Sequence, residues 1–268
     1  MRSVVNIAVF IALLFVPFPA LAGPPFLTDD PEPVEYKHWE IYFASMSEEQ
    51  HGGVSMTAPH LDVNYGIAPN FQLHFTTPME YVKPPGLPSH YGYGDTELGV
   101  KWRFFQNEDA RFLASIYPLL EVPTGAESRG LGNGQAQVFL PLWLQKGWGP
   151  WQTYGGGGYW INPGDGHKDF GFLGWQVQRE MSKCLTLGAE LFYETPRDTA
   201  DERHFGFNIG TIINVTEKHH ILLSAGTDII GPTDFYSYIA YQLTFGPEKP
   251  TGPAQTHLPA GRFLPGPL

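Results

Sequence analysis

Cysteine is nearly missing from this 268-residue chain, which has only Cys184. A single thiol excludes a disulfide framework and a cysteine-based zinc site. Basic residues are also scarce, with 16 Lys and Arg against 27 Asp and Glu and a net charge of −11. That balance argues against binding to nucleic acid, whose phosphates attract clustered Lys and Arg. Charged residues make up only 16% and aromatics 15%, which is the wrong composition for a disordered chain. Beyond residue 22 there is no apolar run of the roughly 18 residues needed for a membrane-spanning helix. The 31 Gly and 25 Pro disfavour long helices of any kind.

The first 22 residues, MRSVVNIAVFIALLFVPFPALA, have the layout of an export signal. Arg2 supplies the positive end, Val4 to Val16 the apolar stretch, and Ala20-Leu21-Ala22 a small-residue cleavage site. The expected organisation is a signal peptide over 1–22, an acidic Pro-rich segment over 23–37, a barrel over 38–245 and a Pro/Gly-rich tail over 246–268. Both flanks are expected to be mobile periplasmic tails, because such composition makes neither regular strand nor helix.

Between the flanks, apolar and polar residues alternate with period two, the signature of strands with unlike faces. Twelve segments show it: 38–46, 54–65, 71–81, 93–105, 111–122, 136–146, 152–161, 170–181, 184–194, 203–214, 220–228 and 234–245. In 93–105, Leu98, Val100, Trp102 and Phe104 alternate with Glu97, Gly99, Lys101 and Arg103. The connections alternate as well. Short ones at 66–70, 106–110, 147–151, 182–183 and 215–219 interleave with longer ones at 47–53, 82–92, 123–135, 162–169, 195–202 and 229–233. An even number of antiparallel strands, short turns at one end and longer loops at the other describe an all-β, up-and-down transmembrane barrel of the Gram-negative outer membrane. Its partners would be outer-membrane lipid and, during biogenesis, the barrel-assembly machinery. Aromatics near segment ends (Trp39, Tyr65, Tyr81, Tyr93, Trp143, Trp160, Tyr193, Tyr236) suit interfacial girdles. A soluble β-sandwich or a lipocalin-like barrel would show the same periodicity with the faces reversed.

If the polar face points inward, the lumen carries Glu40, His60, Asp62, His74, Glu80, Glu97, Lys101, Arg103, Glu121, Gln176, Gln178, Glu180, Glu190 and Glu194. Eight of these are acids and two are strong bases, so the lumen would repel anions. Lys101, Arg103 and Glu97 could cluster at a constriction. Pairing Tyr65 with Phe71 across the turn would set Asp62 opposite His74 and His60 opposite Thr76. An Asp–His pair can orient a general base, but no nucleophile accompanies it, so an ion pair is the favoured role. Gly155–Gly158 precedes no helix and forms no phosphate cradle; in a strand it allows close backbone approach. His219 and His220 are adjacent and point to opposite faces, which disfavours a shared metal. No cofactor is expected.

The stretches GPPFLTDDPEPVEYKHWEIYFAS, VNYGIAPNFQLHF and GYGDTELGVKWRFF, followed by LEVPTG, resemble a group of bacterial outer-membrane transporters of the "meta-pathway of phenol degradation" type. The resemblance spans most of the chain after residue 22. It implies an outer-membrane barrel, uptake of aromatic or other small hydrophobic compounds, and no catalytic residues. The expected function is therefore a channel or transporter rather than an enzyme. The alternatives are a lipid hydrolase built on a barrel and a secreted binding sandwich.

Overall fold

The computed structural model describes residues 24–247. The expected signal peptide (1–22) and all but the first two residues of the expected tail (246–268) lie outside them. Fourteen strand segments form one antiparallel sheet. They are β1 (Trp39–Gln50), β2 (Gly53–Ala68), β3 (Phe71–Lys83), β4 (His90–Tyr93), β5 (Thr96–Asn107), β6 (Phe112–Ile116), β7 (Leu119–Val122), β8 (Gln137–Trp148), β9 (Trp151–Ile161), β10 (Phe170–Ser182), β11 (Leu185–Glu194), β12 (His204–Asn214), β13 (His219–Ile230) and β14 (Thr233–Phe245). β4 and β5 both pair with β3, and β6 and β7 both lie between β5 and β8. Each couple is one barrel strand interrupted once, at Gly94-Asp95 and at Tyr117-Pro118, so the barrel has twelve strands. β1 pairs with β14 from Trp39↔Phe245 to Gln50↔Thr233 and closes it.

The faces are inverted relative to a soluble protein. On β3, Gln72, His74 and Thr76 are 4–9% exposed, while Phe71, Leu73 and Phe75 between them are 36–40% exposed. On β5, Lys101 is buried between exposed Val100 and Trp102. Polar side chains fill the interior and apolar ones form the outer wall, as lipid requires. This excludes the soluble sandwich. At the turn end the outer wall carries stacked aromatics. Trp39 lies against Tyr65 and Phe245, and Phe71 against Trp102. Three of the aromatics expected in the girdles face inward instead. Trp143 is fully buried, Trp160 stacks on Phe139 inside the barrel, and the Tyr236 hydroxyl donates to Asp228. Position near a strand end does not decide the face; parity does.

Two of the longer connections are tight turns. β1 and β2 are joined by His51-Gly52, and β13 and β14 by Gly231-Pro232, because these strands run on past the wall. The register between β2 and β3 also differs from expectation. The turn is only Pro69-Asn70, with Asn70 left-handed at φ 66°, and a bulge precedes it between Gly66 and Ala68. Tyr65 therefore pairs with Leu73, Asp62 with Thr76 and His60 with Pro78. The slip is two residues, so the inward set stays inward.

Gly155–Gly158 sits in β9 where the backbones crowd. A Cβ at Gly156 would overlap the Leu142 carbonyl, and one at Gly157 the Phe172 carbonyl. Gly156 also has φ 153°, a conformation side chains strain to adopt. We expect Gly156→Ala to destabilise the folded barrel by roughly 1–3 kcal/mol. Urea titration of the compact, unboiled band on a denaturing gel checks this. An unchanged midpoint would mean that the neighbouring strands yield.

Candidate functional site: a plugged lumen

Residues 24–34 lie in the lumen, not free as a tail. Pro24, Pro25, Pro31 and Pro33 lack the N–H that a ladder needs, so the stretch meets the sheet only at its end, where Tyr36 bridges to Gly66. Side chains of the wall hold it. The Glu190 carboxylate accepts from the Leu27 and Thr28 N–H groups at 2.8 and 2.9 Å and also from Asn208. Ser224 Oγ donates to the Pro25 carbonyl at 2.6 Å. Gln72 Oε1 accepts from the Val34 N–H at 2.9 Å. Lys101 Nζ lies 3.0 Å from Asp29 and 3.8 Å from Asp30. Burial pushes the Asp30 carboxyl well above the ordinary carboxylate range, against the pull of Lys101. Burial likewise raises Glu32, opposed by Arg103. The segment leaves the lumen beside Gly66, where a Cβ would overlap the Glu35 carbonyl.

Two interior cavities flank this plug. One, of about 630 Å³, reaches toward the loop end and touches His60, Glu80, Glu97, Glu121 and Glu194. The other, of about 390 Å³, touches Glu40, Lys101, Trp143 and Phe172. Pro24, Phe26 and Leu27 border both.

The expected lumen residues divide as follows. His74 gathers Asp62 (3.2 Å) and Glu97 (2.9 Å) as ion-pair partners, together with Asn64 and Thr76. Asp62 and His74 thus meet, diagonally rather than face to face. No serine or cysteine is among these partners. Glu40 accepts from Tyr42, and Glu121 from Gln137. Gln178 links Gln176 to Gln152. Glu190 holds the plug, and Glu194 pairs with Arg197. His60 and Glu80 line the larger cavity. Two residues fall outside. Arg103 donates to Asn70 Oδ1 at the turn end, and Glu180 is exposed on the last turn of β10. The expected cluster of Lys101, Arg103 and Glu97 does not form. Same-face neighbours stand about 6.6 Å apart along a strand, and each of the three has its own partner.

Several residues of the site lie outside the expected set. His204 Nδ1 sits 2.9 Å from Asp228, which also accepts from Tyr236 and the Thr233 N–H. Asp228 shares the inward parity of 220–228, so the pattern could have found it. Arg197 could not be found that way. It is set by loop contacts, with its carbonyl accepting from Asn162 and from the Lys168 N–H. Along β8–β10 the inner wall carries stacked rings. Trp160 lies 4.8 Å from Phe139 and 5.7 Å from Phe170, and Trp143 packs edge-on against Phe139 and Phe172. Among the described residues no group of His, Cys, Asp and Glu is arranged to hold a metal.

No family model and no curated protein sequence matches the chain. Solved structures do. The COG4313 outer membrane channel from Pseudomonas putida F1 superposes with a TM-score of 0.65 at 15% identity, over 80% of this chain and 99% of that one. The KdgM porin superposes with a TM-score of 0.53 at 13% identity, over 77% and 99%. At these identities the shared property is the fold. It is that of outer-membrane barrels, in agreement with the inverted wall.

Removing the Lys101 charge takes the ammonium from Asp29, 3.0 Å away, and from Asp30 behind it, a loss of up to about 3 kcal/mol for a largely buried pair. We expect Lys101→Met to free the plug. Limited proteolysis should then cut residues 24–37 faster while the barrel band stays intact, and adding Asp30→Asn should restore part of the protection. Equal cutting of wild type and Lys101→Met would show that the ion pair does not hold the plug.

Proposed function

We propose that this protein is a plugged outer-membrane channel for small solutes, with aromatic or other small hydrophobic compounds as its cargo. The observation that carries this is the interior itself. Two cavities, of about 630 and about 390 Å³, lie inside the barrel beside a segment held through side chains rather than by a β-ladder. A barrel built only to anchor or adhere has no need of such space.

The lining supports the choice of cargo. The smaller cavity presents the rings of Phe139, Trp143, Trp160 and Phe172, whose faces attract apolar and cationic groups. The larger cavity presents Asp62, Glu80, Glu97, Glu121 and Glu194, which disfavour anions. Uncharged or positively charged solutes therefore fit, and carboxylates do not. The resemblance of residues 23–45, 63–75 and 92–105 to the phenol-degradation transporters supports the same cargo. The hydrolase alternative has no serine or cysteine beside His74, whose partners are Asp62, Asn64, Thr76 and Glu97. Outer-membrane lipid on the wall and the assembly machinery during insertion are the partners this reading requires.

The test is a planar bilayer under a potassium chloride gradient. We expect cation-selective conductance, with the reversal potential moving toward zero in the Glu80→Gln, Glu121→Gln double variant. Anion selectivity, or a reversal potential unmoved by that variant, would mean that ions do not pass through the acidic cavity.

A further inference from the structure

The plug seats one ring, and the seat has an unusual construction. Gly188 on β11 and Gly210 on β12 are directly paired in the ladder, and both are bare on the inner face. A Cβ on Gly188 would lie 2.9 Å from Phe26 Cζ, and a Cβ on Gly210 2.9 Å from Phe26 Cε1 and Cζ. The two glycines thus form a shallow, flat depression in the wall that the Phe26 ring fills. Side chains there would push the ring away.

The surroundings of the ring are polar and incompletely satisfied. The Gln176 amide nitrogen lies 2.9 Å from the same Gly188 Cβ position. Gln176 is fully buried, and its Oε1 has no hydrogen-bond partner among the described residues. Two positions along the plug, the Thr28 hydroxyl is also buried and unpartnered. Buried polar groups normally find partners, and each that does not costs free energy. Phenylalanine offers them nothing. A ring of the same size carrying a hydroxyl would fill the depression and bring to the Gln176 amide a group that can accept from its nitrogen or donate to its oxygen. Glu190, Asp29 and Asp30 nearby make an anionic ring a poor occupant.

We propose that the Gly188–Gly210 depression is a binding site for an uncharged single ring bearing a hydroxyl or amino donor, and that Phe26 occupies it as a displaceable tenant. A solute taking the seat unseats the plug, so cargo opens its own path. This rests on the channel reading above and adds to it the location of the site, the chemical class of ligand and the coupling to the plug. The geometry suits exchange. Phe26 borders both cavities, and between Pro24 and Glu35 the segment has no strand pairing to break.

The experiment uses the full-length folded barrel with 4-methylphenol, toluene and 4-methylbenzoate as probes. Binding is followed by isothermal titration against a detergent blank, and conductance in planar bilayers. Removing a tenant that fills the site most of the time raises apparent affinity by the reciprocal of the free fraction. Phe26→Ala should therefore bind 4-methylphenol at least roughly tenfold more tightly than wild type. Toluene should bind several-fold more weakly than 4-methylphenol, 4-methylbenzoate weakest of all, and Gln176→Leu should abolish the preference for the hydroxyl. Gly210→Leu in the Phe26→Ala background should eliminate binding. Where that variant gives no folded band, Gly188→Ala in the same background should weaken binding instead. In bilayers, 4-methylphenol should raise wild-type conductance and leave Phe26→Ala unchanged.

Equal affinity of wild type and Phe26→Ala, or binding indifferent to Gly188 and Gly210, overturns the proposal. Conductance without ring binding leaves the channel and removes the seat. Ring binding with no conductance in any variant keeps the seat as a ligand site, and removes both the channel and the coupling to it.

Discussion

Everything in this molecule depends on the need to satisfy backbone hydrogen bonds where the solvent offers none. In a hydrocarbon layer an unpaired N–H or C=O costs several kcal/mol, so a sheet survives there only if it closes on itself. The ladder between β1 and β14, from Trp39↔Phe245 to Gln50↔Thr233, removes the two edges that would otherwise remain. The two interruptions, at Gly94-Asp95 and Tyr117-Pro118, are tolerated because the flanking segments re-enter the same pairings. Asp95 turns its break to use by accepting the Gly125 and Asn133 N–H groups of the long loop above it.

Closure in lipid forces the polar residues inside, and the interior must then satisfy them. It does so through short networks rather than a single core. His74 stands among Asp62, Asn64, Thr76 and Glu97, His204 among Asp201, Asp228 and Tyr236, and Gln152, Gln176 and Gln178 form a chain. The plug belongs to the same economy of partners. Glu190 would be a buried carboxylate with a single amide donor if Leu27 and Thr28 did not present their N–H groups. Lys101 would be a buried ammonium without Asp29 and Asp30. An acidic, proline-rich segment is therefore the natural complement of this lumen. Its prolines prevent it from becoming another strand, and its carboxylates answer the one lysine that the inner wall of β5 presents.

Much of the site was legible in the parity of the strands. Glu40, His60, Asp62, His74, Glu80, Glu97, Lys101, Glu121, Gln178, Glu190 and Glu194 all occupy interior positions, and parity alone had grouped them on one face. Arg103 and Glu180 share that parity but lie at the turn end, because alternation gives the face and not the depth. Trp143, Trp160 and Tyr236 show the same limit from the other side. Aromatic character suggested the girdle, while their parity put them within. The register of β2 against β3 depended on a bulge just before a two-residue turn, which no pattern of apolar residues encodes.

The sequence by itself determined the strand number and which residues share a face, because period-two alternation and turn chemistry are local properties of the chain. Only the tertiary structure decided which way the wall was inverted, where residues 24–37 go, and which charges meet. Those depend on contacts between residues far apart in sequence, Leu27 with Glu190 and Asp29 with Lys101. A proline-rich acidic stretch reads as a loose tail until a buried cation and a buried carboxylate are found waiting for it across the lumen.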